Sequence, residues 1–140
     1  MNYRSRSKYI PVKIQIHSFW PAIAGFIIAT LLFCLPGEEF PDTGWLDQIH
    51  FDKVVHIGLF SLLVILWSLP LRSRLKEKQR LNQVYLLITL VYIVYGIAIE
   101  FIQRDFIPHR SFDLFDIVAD TLGCVVGWIV VKRIAVNDQE

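Results

Sequence analysis

Four apolar runs, Phe19 to Leu35, Val54 to Leu71, Val84 to Ile99 and Leu114 to Val131, constrain this 140-residue chain more than any other feature. Each holds about 16 to 18 residues, and a helix rising about 1.5 Å per residue needs around 20 to cross the hydrocarbon of a bilayer. With a few flanking residues each run suffices. A soluble four-helix bundle would carry a polar stripe along every helix where it meets water. These runs lack one: Phe26 to Leu35 and Leu59 to Trp67 are apolar on all faces apart from Thr30 and Ser61, whose hydroxyls can bond the preceding turn. An apolar content of 54% and a mean hydropathy of +0.47 agree. The sequence therefore predicts an all-α fold, a four-helix transmembrane bundle forming one domain over residues 1–140, with spans at about 19–36, 53–71, 83–103 and 113–131.

Charge orients the bundle. Arg4, Arg6, Lys8 and Lys13 precede the first run, Arg72, Arg74, Lys76, Lys78 and Arg80 join the second to the third, and Lys132 and Arg133 follow the fourth. Folding the chain back and forth puts these eleven of the 14 basic residues on one side with only Glu77, Asp138 and Glu140, and leaves Lys53, Arg104 and Arg110 with ten acids on the other. Short loops rich in Lys and Arg stay cytoplasmic, so both termini are expected inside, with residues 36–52 and 104–112 outside. A net charge of +1 hides this polarity. The basic loop is read as a topology signal and as contact with anionic headgroups. No soluble basic domain is present to bind nucleic acid.

The remaining segments carry little chemistry. Residues 1–17 are too short and too polar for a domain and are expected along the inner interface; no small-x-small cleavage pattern follows the first run, so a removable signal peptide is not expected. Trp20, Trp67 and Trp128 fall near inner span ends and are expected as interfacial anchors. In the outer loop, Glu38, Glu39, Asp42 and Asp47 match no calcium-loop spacing and are expected to be solvated, with Phe40 and Trp45 dipping into the interface. Cys34 and Cys124 fall at different depths and form no CxxC pair, so neither a bridge nor a redox role is expected. GxGxxG, P-loop, HExxH and GxSxG motifs are all missing.

Polar residues converge at one end. The second span begins there with Asp52, Lys53 and His56; the third rises to it with Gly96, Glu100 and Gln103; the fourth descends from Asp113 through Asp116 and Asp120, and Gly123 and Gly127 continue that stripe at steps of three and four. Asp120 lies about 10 Å below Asp113, where a carboxylate facing lipid would cost about 3 kcal/mol. It must be paired, protonated or wet. His56, Glu100, Asp116 and Asp120 are the candidates for proton-transfer chemistry, and Asp52, Lys53, Gln103, Arg110 and Asp113 for binding, with Arg110 and Lys53 available to a phosphate or carboxylate. Gly96, Gly123 and Gly127 are candidates for close helix packing. Glu100, Asp113, Asp116 and Asp120 are also hard oxygen donors, but no recognised ligand spacing joins them; no metal ligand is assigned and no cofactor is identified. Beside these readings stands a structural one: a salt-bridge and capping network, with Asp113 and Asp52 at helix N-termini, in a protein that packs against a partner.

DKVVHIGLF at 52–60, YGIAIEFIQ at 95–103 and HRSFDLFDIVADTLGCVVG at 109–127 together resemble the VanZ-like family of small bacterial membrane proteins. Its Asp-Lys-x-x-His start, Glu-x-x-Gln pair and Arg-x-x-Asp-x-x-Asp run before two glycines are matched by Asp52, Lys53, His56, Glu100, Gln103, Arg110, Asp113, Asp116, Gly123 and Gly127. Asp120 departs from the pattern, since the family usually carries Asn there. The resemblance implies a multi-pass protein of the bacterial plasma membrane, linked through its namesake to resistance to the glycopeptide teicoplanin, and supplies no settled catalytic assignment. An anionic envelope lipid or lipid-linked cell-wall intermediate would suit a polar site at the outer leaflet.

Overall fold

A computed structural model describes residues 19–36, 51–75 and 77–137 of the chain, and every regular element among them is helical. The expectations for the interfacial segment at 1–17, with Arg4, Arg6, Lys8 and Lys13, and for Glu38, Glu39, Phe40, Asp42, Trp45 and Asp47 lie outside the described residues. The helices are α1 (Trp20–Phe33), α2 (Phe51–Arg72), α3 (Lys78–Phe106) and α4 (Leu114–Asn137). Three of them, α2, α3 and α4, are long and apolar enough to cross a membrane.

Their outer surfaces explain why. Only 28 to 39% of each long helix's apolar stretch is buried within the bundle, and the rest presents side chains such as Leu87, Val94, Leu122 and Val126 outward. An all-round apolar exterior of this kind is stable against lipid and not against water. The protein is a membrane protein.

Helix lengths differ from the sequence expectation in both directions. α1 has 14 residues, a rise of about 21 Å and shorter than the roughly 30 Å hydrocarbon core. It closes early because Pro36 disfavours a helical residue before it; Cys34 and Leu35 already turn tightly, with Leu35 N donating to the Leu32 carbonyl at 3.3 Å. By contrast α3 begins at Lys78 rather than 83. Lys, Gln, Arg and Leu are good helix formers, so the 29-residue helix runs past the apolar stretch for about 43 Å and reaches both headgroup layers. α4 similarly continues beyond 131 to Asn137.

The chain runs up and down, which makes α2 and α4 parallel neighbours with the most extensive contact in the bundle. Glycine sets that contact. A Cβ added at Gly123 would stand 2.5 Å from the Ile57 carbonyl oxygen, and one at Gly127 would stand 2.7 Å from that of Ser61. The main core fills between these helices, α1 and α3 with Ala29, Phe33, Phe60, Leu63, Val64, Tyr92, Ile99 and Cys124. Phe26, Phe33, Phe60, Tyr92 and Tyr95 pack ring against ring there.

Several expectations meet the structure directly. Thr30 donates to the Phe26 carbonyl at 2.7 Å, the preceding-turn bond its hydroxyl allows. Both cysteines are free. Trp67 and Trp128 differ from simple interfacial anchors: their indole N–H groups are buried without a hydrogen-bond partner, one ring packing against Phe19 and the other lying under the Lys132 ammonium.

Candidate functional site

The parallel register of α2 against α4 builds the site rung by rung. Lys53, in the first turn of α2, faces the start of α4, and its ammonium donates to Asp113 Oδ2 at 2.5 Å and Asp116 Oδ1 at 2.6 Å. It also lies 2.9 Å from Asp52 Oδ2. One turn further along, His56 Nδ1 meets Asp120 Oδ1 at 2.8 Å. The next rungs are the glycine contacts, Gly123 on Ile57 and Gly127 on Ser61 and Val64. Ionic, polar and close-packed contacts thus follow one another down a single seam.

Burial grades along the seam. The Asp52 side chain is 54% exposed, that of Lys53 19% and that of Asp120 1%. At the exposed end of the seam, the Lys53 ammonium beside Asp113 holds that carboxyl below its ordinary 3.8, helped by the Phe115 N–H. Asp113 also caps α4: its Oδ1 accepts from Phe115 N at 2.8 Å, satisfying a donor that a helix start leaves open. Asp52 sits inside the first turn of α2 and turns toward Lys53 instead.

α3 closes the third wall. Glu100, fully buried, accepts from the Asp113 backbone N–H at 2.8 Å through Oε2. Gly96, one turn earlier, makes room for Asp120; a Cβ there would lie 2.8 Å from Asp120 Oδ2. Two buried oxygens of this cluster, Glu100 Oε1 and Asp120 Oδ2, have no hydrogen-bond partner among the described residues. Buried acceptors are rarely left so.

α1 supplies a fourth wall that sequence reasoning missed. Gln103, assigned above to ligand binding, donates through Nε2 to the Phe33 carbonyl at 2.9 Å, and the Phe33 ring lies 4.8 Å from that of His56. The last carbonyls of a helix lack intrahelical donors, and Phe33 ends α1; that was the available signal. A second tie joins Thr30 to the Tyr95 hydroxyl at 2.8 Å.

The structure thus brings together Asp52, Lys53, His56, Glu100, Asp113, Asp116 and Asp120, with Gly96, Gly123 and Gly127 packed beneath and against them. Arg110 lies half-buried in the α3–α4 turn, its backbone N–H donating to the Ile107 carbonyl at 3.4 Å. His109 in the same turn is exposed and takes φ 60°, a left-handed conformation uncommon outside glycine.

His56 bonds Asp120 across the seam, just before the Gly123 contact, and the role of Lys53 differs from expectation. Lys53 directs its three donors at three carboxylates, which leaves its ammonium no further donor for a ligand anion. Among the described residues no group of three or more His, Cys, Asp or Glu side chains is arranged to hold a metal ion; the lysine occupies the centre of the outer aspartates.

Comparison with known proteins places these residues in context. Residues 22–135 match the VanZ/LLP1 family. A protein of Schizosaccharomyces pombe, itself described as uncharacterized, is 41% identical over 75 residues, or 52% of this chain. That match spans 41% of the yeast protein. A fungal relative means that bacterial origin does not follow from sequence similarity. No solved structure matches.

Proposed function

Because the chain belongs to the VanZ/LLP1 family, we propose that this membrane protein uses His56 and Asp120 as a proton-transfer dyad acting on an envelope lipid or lipid-linked cell-wall intermediate. The observation that carries this reading is the pairing at 2.8 Å of two nearly fully buried ionisable side chains, with Asp120 Oδ2 and Glu100 Oε1 unpartnered beside it. A network that only tied helices together would gain nothing from buried acceptors with unused capacity, each of which costs about 1–3 kcal/mol. With Asp120 ionised, Nδ1 carries the imidazole proton and Nε2 keeps a lone pair. That is the arrangement of a general base oriented by a carboxylate.

On this reading the cluster has two halves. Lys53, Asp52, Asp113 and Asp116 hold α2 to α4 and fix the dyad's geometry. His56, Asp120 and Glu100 carry the chemistry. Five carboxylates against one ammonium make the site unsuited to gripping an anion directly, so the substrate meets the dyad through a hydroxyl or amine, while its phosphate lies outside near Arg110. Bacterial plasma-membrane localisation, an outward-facing site and a link to glycopeptide tolerance belong to the same proposal, as does a cytoplasmic position for both termini.

His56→Asn provides the test, because its amide nitrogen can replace Nδ1 toward Asp120 while nothing replaces Nε2. At equal membrane expression and unchanged thermal stability, loss of envelope-lipid turnover and of teicoplanin tolerance is expected. Retention of both would refute the dyad. The competing reading, a non-enzymatic scaffold, is favoured by the Lys53 network; it requires that variants lose function only in proportion to stability.

A further inference from the structure

The end of the bundle opposite the carboxylates holds a second polar feature. A cavity of about 490 Å³ opens between the first turns of α3 and the last turns of α4, lined by Lys78, Gln79, Asn82, Tyr85, Lys132 and Ala135 among others. That size is within the range of ligand pockets. Its described lining carries two ammonium groups and two carboxamides and no carboxylate. Glu77 is exposed nearby, at the N-cap of α3, and makes no side-chain cap bond. The first-turn N–H groups of α3 are therefore not taken by their own cap.

The Lys132 ammonium is held over the Trp128 ring, 4.3 Å from its centroid, a cation–π contact that orders an otherwise flexible side chain. Tyr85 is almost wholly buried at the inner wall. Arg72, at the end of α2, is within electrostatic reach of the Tyr85 hydroxyl. Cations from α3 and α4 thus line a space with hydrogen-bond donors.

Depth selects the ligand class. Asn82 and Glu100 are about 27 Å apart along α3 at 1.5 Å per residue, close to the roughly 30 Å thickness of the hydrocarbon. With the carboxylate cluster at one headgroup layer, the cavity lies at the other. Above it the exterior of α3 and α4 is apolar, with Leu86 and Ile129 exposed. A phosphate-bearing molecule with acyl chains fits both surfaces.

We propose that this cavity binds the headgroup phosphate of an anionic phospholipid from the leaflet opposite the carboxylate cluster. Lys78 and Lys132 pair with the phosphate, and Gln79 and Asn82 donate to the phosphodiester or the headgroup hydroxyls. The lipid here is a structural ligand and is not consumed. The inference stands apart from the chemistry at His56, and His56→Asn leaves it untouched.

The full chain, reconstituted in nanodiscs of phosphatidylcholine containing phosphatidylglycerol and then released into detergent, is examined by native mass spectrometry for retained lipid. Wild type is expected to retain phosphatidylglycerol over phosphatidylcholine. Lys78→Gln with Lys132→Gln should weaken retention about 25-fold, from roughly five-fold for each cation at a membrane surface. Ala135→Phe fills the cavity with every cation in place and should also lose the lipid, which covers the case in which the double variant does not fold. Arg133→Gln, an exposed cation outside the lining, should keep it. No preference for phosphatidylglycerol in wild type, an equal loss in Arg133→Gln, or full retention in Ala135→Phe would overturn the proposal. Displacement of the lipid by millimolar inorganic phosphate would also overturn it, by assigning the cavity to a soluble anion.

Discussion

Replacing Gly123 with alanine asks whether the α2–α4 seam holds the dyad in register. The new Cβ would lie 2.5 Å from the Ile57 carbonyl oxygen and 3.0 Å from both Ile57 Cα and Phe60 Cβ. Backbone atoms in a helix cannot turn aside as a side-chain end can. To restore ordinary contact at about 3.4 Å, α2 must withdraw by about 0.9 Å. His56 precedes Ile57 in the same turn, so a shift along its bond to Asp120 would lengthen 2.8 Å to about 3.7 Å, beyond hydrogen-bonding distance. Overpacking costs about 1–3 kcal/mol and opening the buried bond about 1–3 kcal/mol more, whereas alanine's helix propensity returns only about 1 kcal/mol. The net expectation is destabilisation by at least 1 kcal/mol, measured by thermal unfolding in detergent, with the dyad's function lost. Gly58, which has nothing within 4 Å of an added Cβ, is the control: Gly58→Ala should stabilise by up to about 1 kcal/mol. Equal stabilisation by both substitutions would refute the seam.

Further outcomes follow from other contacts. Lys53→Met leaves Asp52, Asp113 and Asp116 converging on an apolar side chain and should destabilise by about 3 kcal/mol, read by the same unfolding assay; a neutral result would mean that the three carboxylates separate freely. The Asp113 carboxyl lies below its ordinary 3.8 in the folded protein, so its pairing stabilises fully above about pH 4 and is lost as pH falls through the lowered value. Asp113→Ala should therefore cost about 1–2 kcal/mol at pH 7, cap included, and the gap to wild type should narrow under acid. Gln103→Leu removes the donor to the Phe33 carbonyl and should cost about 1–3 kcal/mol, with faster hydrogen exchange in α1; unchanged exchange there would mean that α1 is held without it.

Sequence patterns reach the architecture and the membership of the polar cluster, for separable reasons. Unbroken apolar runs specify helices that face lipid. The three- and four-residue spacing of Asp113, Asp116, Asp120, Gly123 and Gly127 puts them on one face of α4 whatever the tertiary packing. Partner choice was not legible, because it depends on the offset between two helices that are not consecutive in the chain. Only the closeness permitted by Gly123 and Gly127 sets Lys53 opposite Asp116 and His56 opposite Asp120. The end of α1 is legible in Pro36, yet apolarity alone extends the span to 36, since it continues through Leu35 while the backbone has already turned at Cys34. The residue at 120 now has a definite partner: Asp120 Oδ1 meets His56 Nδ1 at 2.8 Å.

Nitrogen chemical shifts of the His56 imidazole test the central claim most directly, using full-length protein labelled at histidine in nanodiscs and the resonance missing from His56→Asn. The account predicts a proton on Nδ1, directed at Asp120, and a loss of that fixed state in Asp120→Ala. A ring that lacks the Nδ1 proton in the wild type, or that is indifferent to Asp120→Ala, would contradict it.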